Sequence, residues 1–314
     1  MRAIAACLVL LPFVTVAASD DVPQTGASVS VNYVLVPFTL FDKDGRAVRG
    51  VREADVSLLV DGAPVKTDLF DETHDSPVSF TILLDGSGSM ALAGKLDSAR
   101  YALRTLFANR LPGDDYSLHI FKEGAVREVV PFTDDTDLLL RAVDQLQPYG
   151  KTALFDAIVK MPDKTILGRN GARAIILLTD GLDNASVQDH NAVRQILEGV
   201  DVAVYPLGFR SPDPNASTDE TSIDVALLEH LARTSGGQMI IAANLAELQI
   251  SLRAMLEELR TQYLIGFAPT GRGATRYRRI SIEVAGPVRS VRVRGGYRGT
   301  EPPPLNIHPM QRRK

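Results

Sequence analysis

Two acidic residues at the ends of apolar runs, with three hydroxyls in related positions, are the groups in this sequence best suited to chemistry. The run TILLDGSGSM leaves an apolar stretch at Asp85 and places Ser87 and Ser89 at alternate positions after it. Gly86 and Gly88 lie between them and let the backbone approach closely. Far along the chain, RAIILLTDG ends a second apolar run at Asp180, and Thr152 opens the segment TALFDAIVKM. All five side chains are hard oxygen donors. Mg²⁺ takes about six such oxygens, often keeping waters, and Mn²⁺ accepts the same ligand type. Two carboxylates and three hydroxyls carry little negative charge. If some Asp contacts run through water, an ion held here stays electrophilic and draws a carboxylate from outside. The chemistry this predicts is binding through a metal, with no covalent turnover.

Other motifs point elsewhere and are weaker. Gly150-Lys151-Thr152 resembles the end of a phosphate loop, but position 145 is Gln and a helix is predicted before it. Neither Ser87 nor Ser89 sits in G-x-S-x-G with a positioned His. His119 falls in a predicted strand, and His190 and His230 in predicted helices, where core or surface roles suffice. Asp134, Asp135 and Asp137 suit a helix start. Asp183-Asn184 caps a turn near the site and tunes its rim, and Lys151 sits beside Thr152 on the same rim. Arg residues alternate outward through GRGATRYRRISIEV and VRSVRVRGG, which predicts a solvated sheet face protected from edge pairing, with contact to an anionic surface as the alternative. Asn184-Ala185-Ser186 and Asn215-Ala216-Ser217 match a glycosylation pattern.

Strands must carry both Asp residues to one place. VSFTILLD, RAIILLTD and DVAVYPLGF are nearly continuous apolar runs, as in strands buried on both faces of a parallel sheet. Between them lie helical patterns. Leu96, Ala99, Leu103 and Leu106 recur at helical spacing, and Pro112-Gly113 ends that run. DDTDLLLRAVDQL, TALFDAIVKM, VALLEHLARTSGG and NLAELQISLRAMLEELR behave likewise. SLHIF and AVREVVPF read as a hairpin that adds one antiparallel strand. The predicted class is α/β: a Rossmann-like open, mostly parallel sheet of about six strands with helices on both faces. Ligands of such sheets bind beyond the carboxyl ends of the strands where the strand order reverses.

At these residues a resemblance becomes specific. Asp85, Ser87 and Ser89 as D-x-S-x-S resemble the metal-ion-dependent adhesion site of von Willebrand factor type A domains. Thr152 in GKTAL and Asp180 in LLTDG match that family's second and third elements in order. The flanks DKDGRAVRGVREADVSLLVDGAPV, QYLIGFAP and VRVRGGY are similar to the von Willebrand factor type A-related proteins described from acidobacteria. The resemblance implies that Ser87, Ser89 and Thr152 ligate a Mg²⁺ or Mn²⁺ ion, with Asp85 and Asp180 acting directly or through water. It implies adhesion or complex assembly as the class of function. Many relatives carry Gly where this chain has Lys151, whose ammonium either weakens cation binding or swings outward toward an acidic partner.

Composition bounds the rest. The chain has 314 residues, a formal charge of −4, one Cys and five His. Nucleic-acid binding through a basic face, a cysteine zinc site and an iron–sulfur cluster are excluded. Residues 1–18 read as an export signal, with one Arg, an apolar stretch and a small-residue cleavage site before Ser19. Residues 27–78 and 261–298 have β character and turn signals, residues 79–260 carry the α/β pattern, and residues 299–314 form a Pro-rich polar tail. The expectation is an exported protein, in the periplasm, on the cell surface or secreted. Its α/β domain is inserted in a smaller all-β domain, it is not an enzyme, and the mature chain has no membrane span. Its function is to bind a protein that offers an acidic residue. The alternative is an envelope scaffold whose β flanks make the contacts and whose metal site is structural or degenerate.

Overall fold

The computed structural model describes residues 33–92, 94–180, 183–187, 202–209, 225–269, 276–286 and 288–298. The export-signal reading of residues 1–18, the tail 299–314, His190 and Asn215 lie outside them.

The central sheet has six strands. They are β5 (Val78–Asp85), β6 (Asp115–Lys122), β7 (Ala125–Thr133), β8 (Ala172–Leu178), β9 (Ala203–Phe209) and β10 (Ile240–Ala242), in spatial order β10-β9-β8-β5-β6-β7. All neighbours run parallel except β6 and β7, which form the expected hairpin. Strand β5 is buried along its whole length, as its uninterrupted apolar run requires.

Its alternate residues feed two cores. Phe80, Ile82 and Leu84 pack with α1 (Lys95–Ala108), α2 (Thr136–Asp144) and the long helix α6 (Leu245–Arg260). Leu83 packs on the other face with α3 (Leu154–Ile158), α4 (Met161–Thr165) and α5 (Val225–Ser235). Leu96, Ala99, Leu103 and Leu106 of α1 are all buried, as their spacing requires. Helix α1 stops at Ala108, with Asn109 as its cap, a few residues before Pro112-Gly113. Asp135 caps α2 by accepting from the Leu138 amide at 2.9 Å. TALFDAIVKM forms two short helices, α3 and the start of α4, in place of one.

The remaining strands come from both ends of the described chain. One sheet has the order β13-β1-β11-β4, with β1 (Val34–Phe41), β4 (Leu69–Thr73), β11 (Gln262–Phe267) and β13 (Ser290–Val293). The other has the order β14-β12-β2-β3, with β2 (Val56–Val60), β3 (Ala63–Pro64), β12 (Tyr277–Val284) and β14 (Gly296–Arg298). Strands β2 and β3 turn at Asp61-Gly62, where both residues have positive φ, as a tight hairpin demands. Val36, Phe38, Leu58, Val60, Tyr263, Ile265, Ile280 and Ile282 from the two sheets share one apolar core.

The Arg residues of this region do not all face water. Arg294 is 5% exposed and donates to the Leu35 carbonyl at 3.0 Å. Arg292 pairs with Glu258 of α6 and lies over the Phe41 ring. The solvated face expected for SVRVRGG is therefore corrected for these two residues. Arg292 leaves the sandwich for a buried carboxylate on α6, and Arg294 satisfies a backbone carbonyl of β1. Arg279 is exposed, with its backbone amide donating to Asp61, while the half-buried Arg278 pairs with Asp61 through its side chain.

Candidate functional site

The strand order reverses at β5. The chain passes from β5 to β6 on one side, then returns to β8 on the other. A crevice opens beyond the carboxyl ends of strands at such a point. Asp85 is the last residue of β5, and Thr179 and Asp180 follow β8 directly. Leu84 registers with Leu178, so Asp85 and Thr179 stand at adjacent strand ends. The Thr179 hydroxyl accordingly donates to Asp85 Oδ2 at 2.7 Å.

Three loops are tied together there by their backbones. The Tyr149 amide donates to the Gly86 carbonyl at 3.0 Å, and the Gly88 amide to the Gly150 carbonyl at 3.0 Å. The Thr152 amide donates to Asn184 Oδ1 at 2.9 Å, while the Asn184 amide donates to the Thr152 carbonyl at 3.0 Å. Gly86 is the position where close approach is needed: a Cβ there would lie 2.7 Å from Ile120 Cγ2. Gly150 adopts φ +81° and a Cβ would strike the Glu123 side chain. At Gly88 the nearest atom would be 3.5 Å away, an ordinary contact. The D-G-S-G-S loop thus depends sterically on its first glycine and not on its second.

Asp85, Ser87, Thr152 and Asp180 are each at most 1% exposed. Asp85 Oδ1 accepts the Ser87 amide at 2.9 Å, which turns the loop back over the strand end. The Ser87 and Ser89 hydroxyls face each other at 3.0 Å, with Ser89 partly exposed. Burial pushes the Asp85 carboxyl up to about 6. Hydrogen bonds from Ser87 and Thr179 oppose that rise, and the like charge of Asp180 adds to it.

Two further residues belong to the site, and neither stands out in the sequence as a candidate. Thr179 is the hydroxyl on Asp85. Lys95, the first residue of α1, reaches Asp180 Oδ2 with its Nζ at 2.9 Å, and the side chains of the pair are 1% and 0% exposed. A Lys at a helix N-terminus opposes the helix dipole, and that was the available signal. The ammonium inside this site belongs to Lys95. Lys151 is exposed, and its backbone carbonyl accepts from the Glu123 amide.

Asp183 is occupied with the chain itself. Its Oδ2 accepts from the Phe155 amide at 3.0 Å and from the Ser186 hydroxyl at 2.6 Å, and its Oδ1 accepts from the Ser186 amide. It anchors the start of α3, and with Asn184 it holds Thr152 in place. Ser186 of the Asn184-Ala185-Ser186 pattern is taken up by the same turn. His119 is 1% exposed on β6, with Nε2 3.3 Å from the Ser117 hydroxyl, so it is a core residue. His230 is half-buried on α5.

The donor set fits a hard divalent cation. Two buried carboxylates repel each other, and the hydroxyls around them offer lone pairs. Among the described residues no cluster of three His, Cys, Asp or Glu exists, so hydroxyls must supply much of any coordination.

Residues 80–182 match the von Willebrand factor type A domain family. No curated protein shows significant similarity to the chain. Among solved structures, a von Willebrand factor type A protein from Catenulispora acidiphila aligns at 14% identity and a TM-score of 0.49, covering 86% of this chain and 73% of its own. An aerotolerance-related membrane protein from Bacteroides fragilis aligns at 21% identity and 0.47, covering 58% and 98%. The von Willebrand factor domain of the type V pili tip protein Mfa5 from Porphyromonas gingivalis aligns at 12% and 0.43, covering 58% and 96%.

Proposed function

From the von Willebrand factor type A domain that residues 80–182 carry, we propose that this protein is a non-enzymatic binding module working through a divalent cation. Asp85, Ser87, Ser89, Thr152 and Asp180 would hold Mg²⁺ or Mn²⁺. The ion would supply a Lewis-acidic position for a carboxylate of a protein partner. The observation that carries this reading is the convergence of three distant loops on two buried, mutually repelling carboxylates edged by hydroxyls. Such an arrangement costs stability unless positive charge offsets it; Lys95 balances one carboxylate, and a cation would offset the rest.

The protein's own residues do the positioning. Thr179 and the Ser87 amide orient Asp85. Asn184 and Asp183 fix Thr152. Lys151 stands outside, where its charge favours an acidic partner. The β strands before and after the α/β region pair with each other, which supports an inserted arrangement with the sandwich as a base. Residues 1–18 support export, to the periplasm, the cell surface or the medium. Among the described residues no helix is long and apolar enough to cross a membrane.

The test is capture of partners from envelope extracts by the wild type and by Asp85→Ala, in Mg²⁺ and in chelator. Capture is expected in Mg²⁺ with the wild type alone. Equal capture in all four conditions would move the contacts to the β flanks and make this a scaffold.

A further inference from the structure

Lys95 sits where a bound cation would compete with it. Its ammonium lies 2.9 Å from Asp180 Oδ2, and both side chains are shut off from solvent. Among the described residues, Asp85 and Asp180 bring two negative charges to the ends of β5 and β8, and Lys95 returns one positive charge. An entering divalent ion therefore meets half the net charge its two carboxylates would otherwise present. Helix position does not explain the residue, since the N-terminus of α1 disfavours a cation. Packing does not explain it either, because an amine is a poor choice for a closed apolar niche without a partner. The pairing with Asp180 is what accounts for a buried Lys here. Its four-carbon stem is flexible, and Leu92 in the turn before it is exposed.

Resting on the ion-binding reading above, we propose that Lys95 is the counter-ion of Asp180 when no metal is bound and is displaced from it when a divalent cation enters. The chain thereby keeps its site folded without metal, and it binds the ion weakly enough for ion entry to be regulated by concentration.

Two measurements decide this. In the first, the purified protein is treated with an amine-acetylating reagent in Mg²⁺ or in chelator, and each Lys is followed by peptide mass spectrometry. Lys95 should be protected in chelator and several-fold more reactive in Mg²⁺, with the exposed Lys151 unchanged. In the second, Mg²⁺ affinity is measured by calorimetry for the wild type, Lys95→Met and Lys95→Arg. Lys95→Met should bind at least tenfold tighter than the wild type, and Lys95→Arg should stay weak. Lys95 protection that is indifferent to saturating Mg²⁺ overturns the proposal. So does equal affinity in the wild type and Lys95→Met, which leaves the ion-binding reading intact. If no protein takes up Mg²⁺ or Mn²⁺, both readings fall. If Lys95→Met does not fold, the acetylation experiment on the wild type still decides.

Discussion

The two ends of the central sheet each bury a pair of carboxylates, and they treat them differently. At the amino end, Asp114 accepts from the Val78 and Leu111 amides at 2.8 Å, from the Tyr116 hydroxyl, and from Arg260 at 2.7 Å. Asp115 next to it takes the Ser79 hydroxyl, the Asn170 amide group and the Arg169 amide. These groups are surrounded by donors on several elements, which is how a buried charge is made structural. At the carboxyl end, Asp85 accepts from the Ser87 amide and the Thr179 hydroxyl, with the Ser87 hydroxyl also bonded to it, and the neighbouring Ser89 can itself accept. There the ammonium of Lys95 pairs with Asp180, beside Asp85. One end is closed by hydrogen bonding, and on the proposed reading the other would take up a cation.

Four measurements sharpen or break that contrast. The largest effect belongs to the amino end. Asp114→Asn should cost about 3–5 kcal/mol by urea unfolding, because it leaves Arg260 without its buried partner. That cost should be the same in Mg²⁺ and in chelator. Next is the ion itself: at 100 times its dissociation constant, Mg²⁺ should stabilise the wild type by about 2.7 kcal/mol. The gain should vanish in Ser87→Ala, and its survival there would displace the site.

The third effect concerns His119, on the strand between the two ends. Burial is the main cause of its lowered pKa. The folded ring therefore stays neutral where the unfolded chain takes up a proton. Its contribution is fully present above the unfolded value near 6.5 and is lost as pH falls, by at most about 1.4 kcal/mol per pH unit. His119→Gln should flatten that part of the acid limb between pH 7 and 5. The smallest effect is at the carboxyl end. In chelator, Asp85→Asn should cost no more than about 1 kcal/mol, since it relieves repulsion with Asp180 while keeping an acceptor for the Ser87 amide. A loss as large as that of Asp114→Asn would erase the difference between the two ends.

Much of this was legible in the residues. Apolar runs ending in Asp85 and Asp180 marked two buried strands, and the spacing of Leu96, Ala99, Leu103 and Leu106 marked the helix that covers one face. Alternation in the flanks marked the sandwich strands. Strand β10 was not legible, being three residues long, and neither was the break between α3 and α4, because a buried helix reads the same whether continuous or interrupted. In the site, the oxygen donors stood out through their types, while Lys95 did not. A Lys in an amphipathic helix is ordinarily solvated, and only its contact with a residue 85 positions away reveals otherwise. Arg292 and Arg294 were misread for a similar reason: period-two alternation gives the face of a strand but not what lies against that face.

Glu258 has a practical consequence. From α6 it accepts the Tyr205 hydroxyl at 3.2 Å on one oxygen and Arg292 on the other, so a single carboxylate clasps the second half of the α/β sheet to a strand near the end of the described chain. A fragment trimmed at residue 260 would retain the acid and lose its guanidinium. Anyone excising the α/β unit should therefore carry the chain through β14, or remove the stranded charge by mutation.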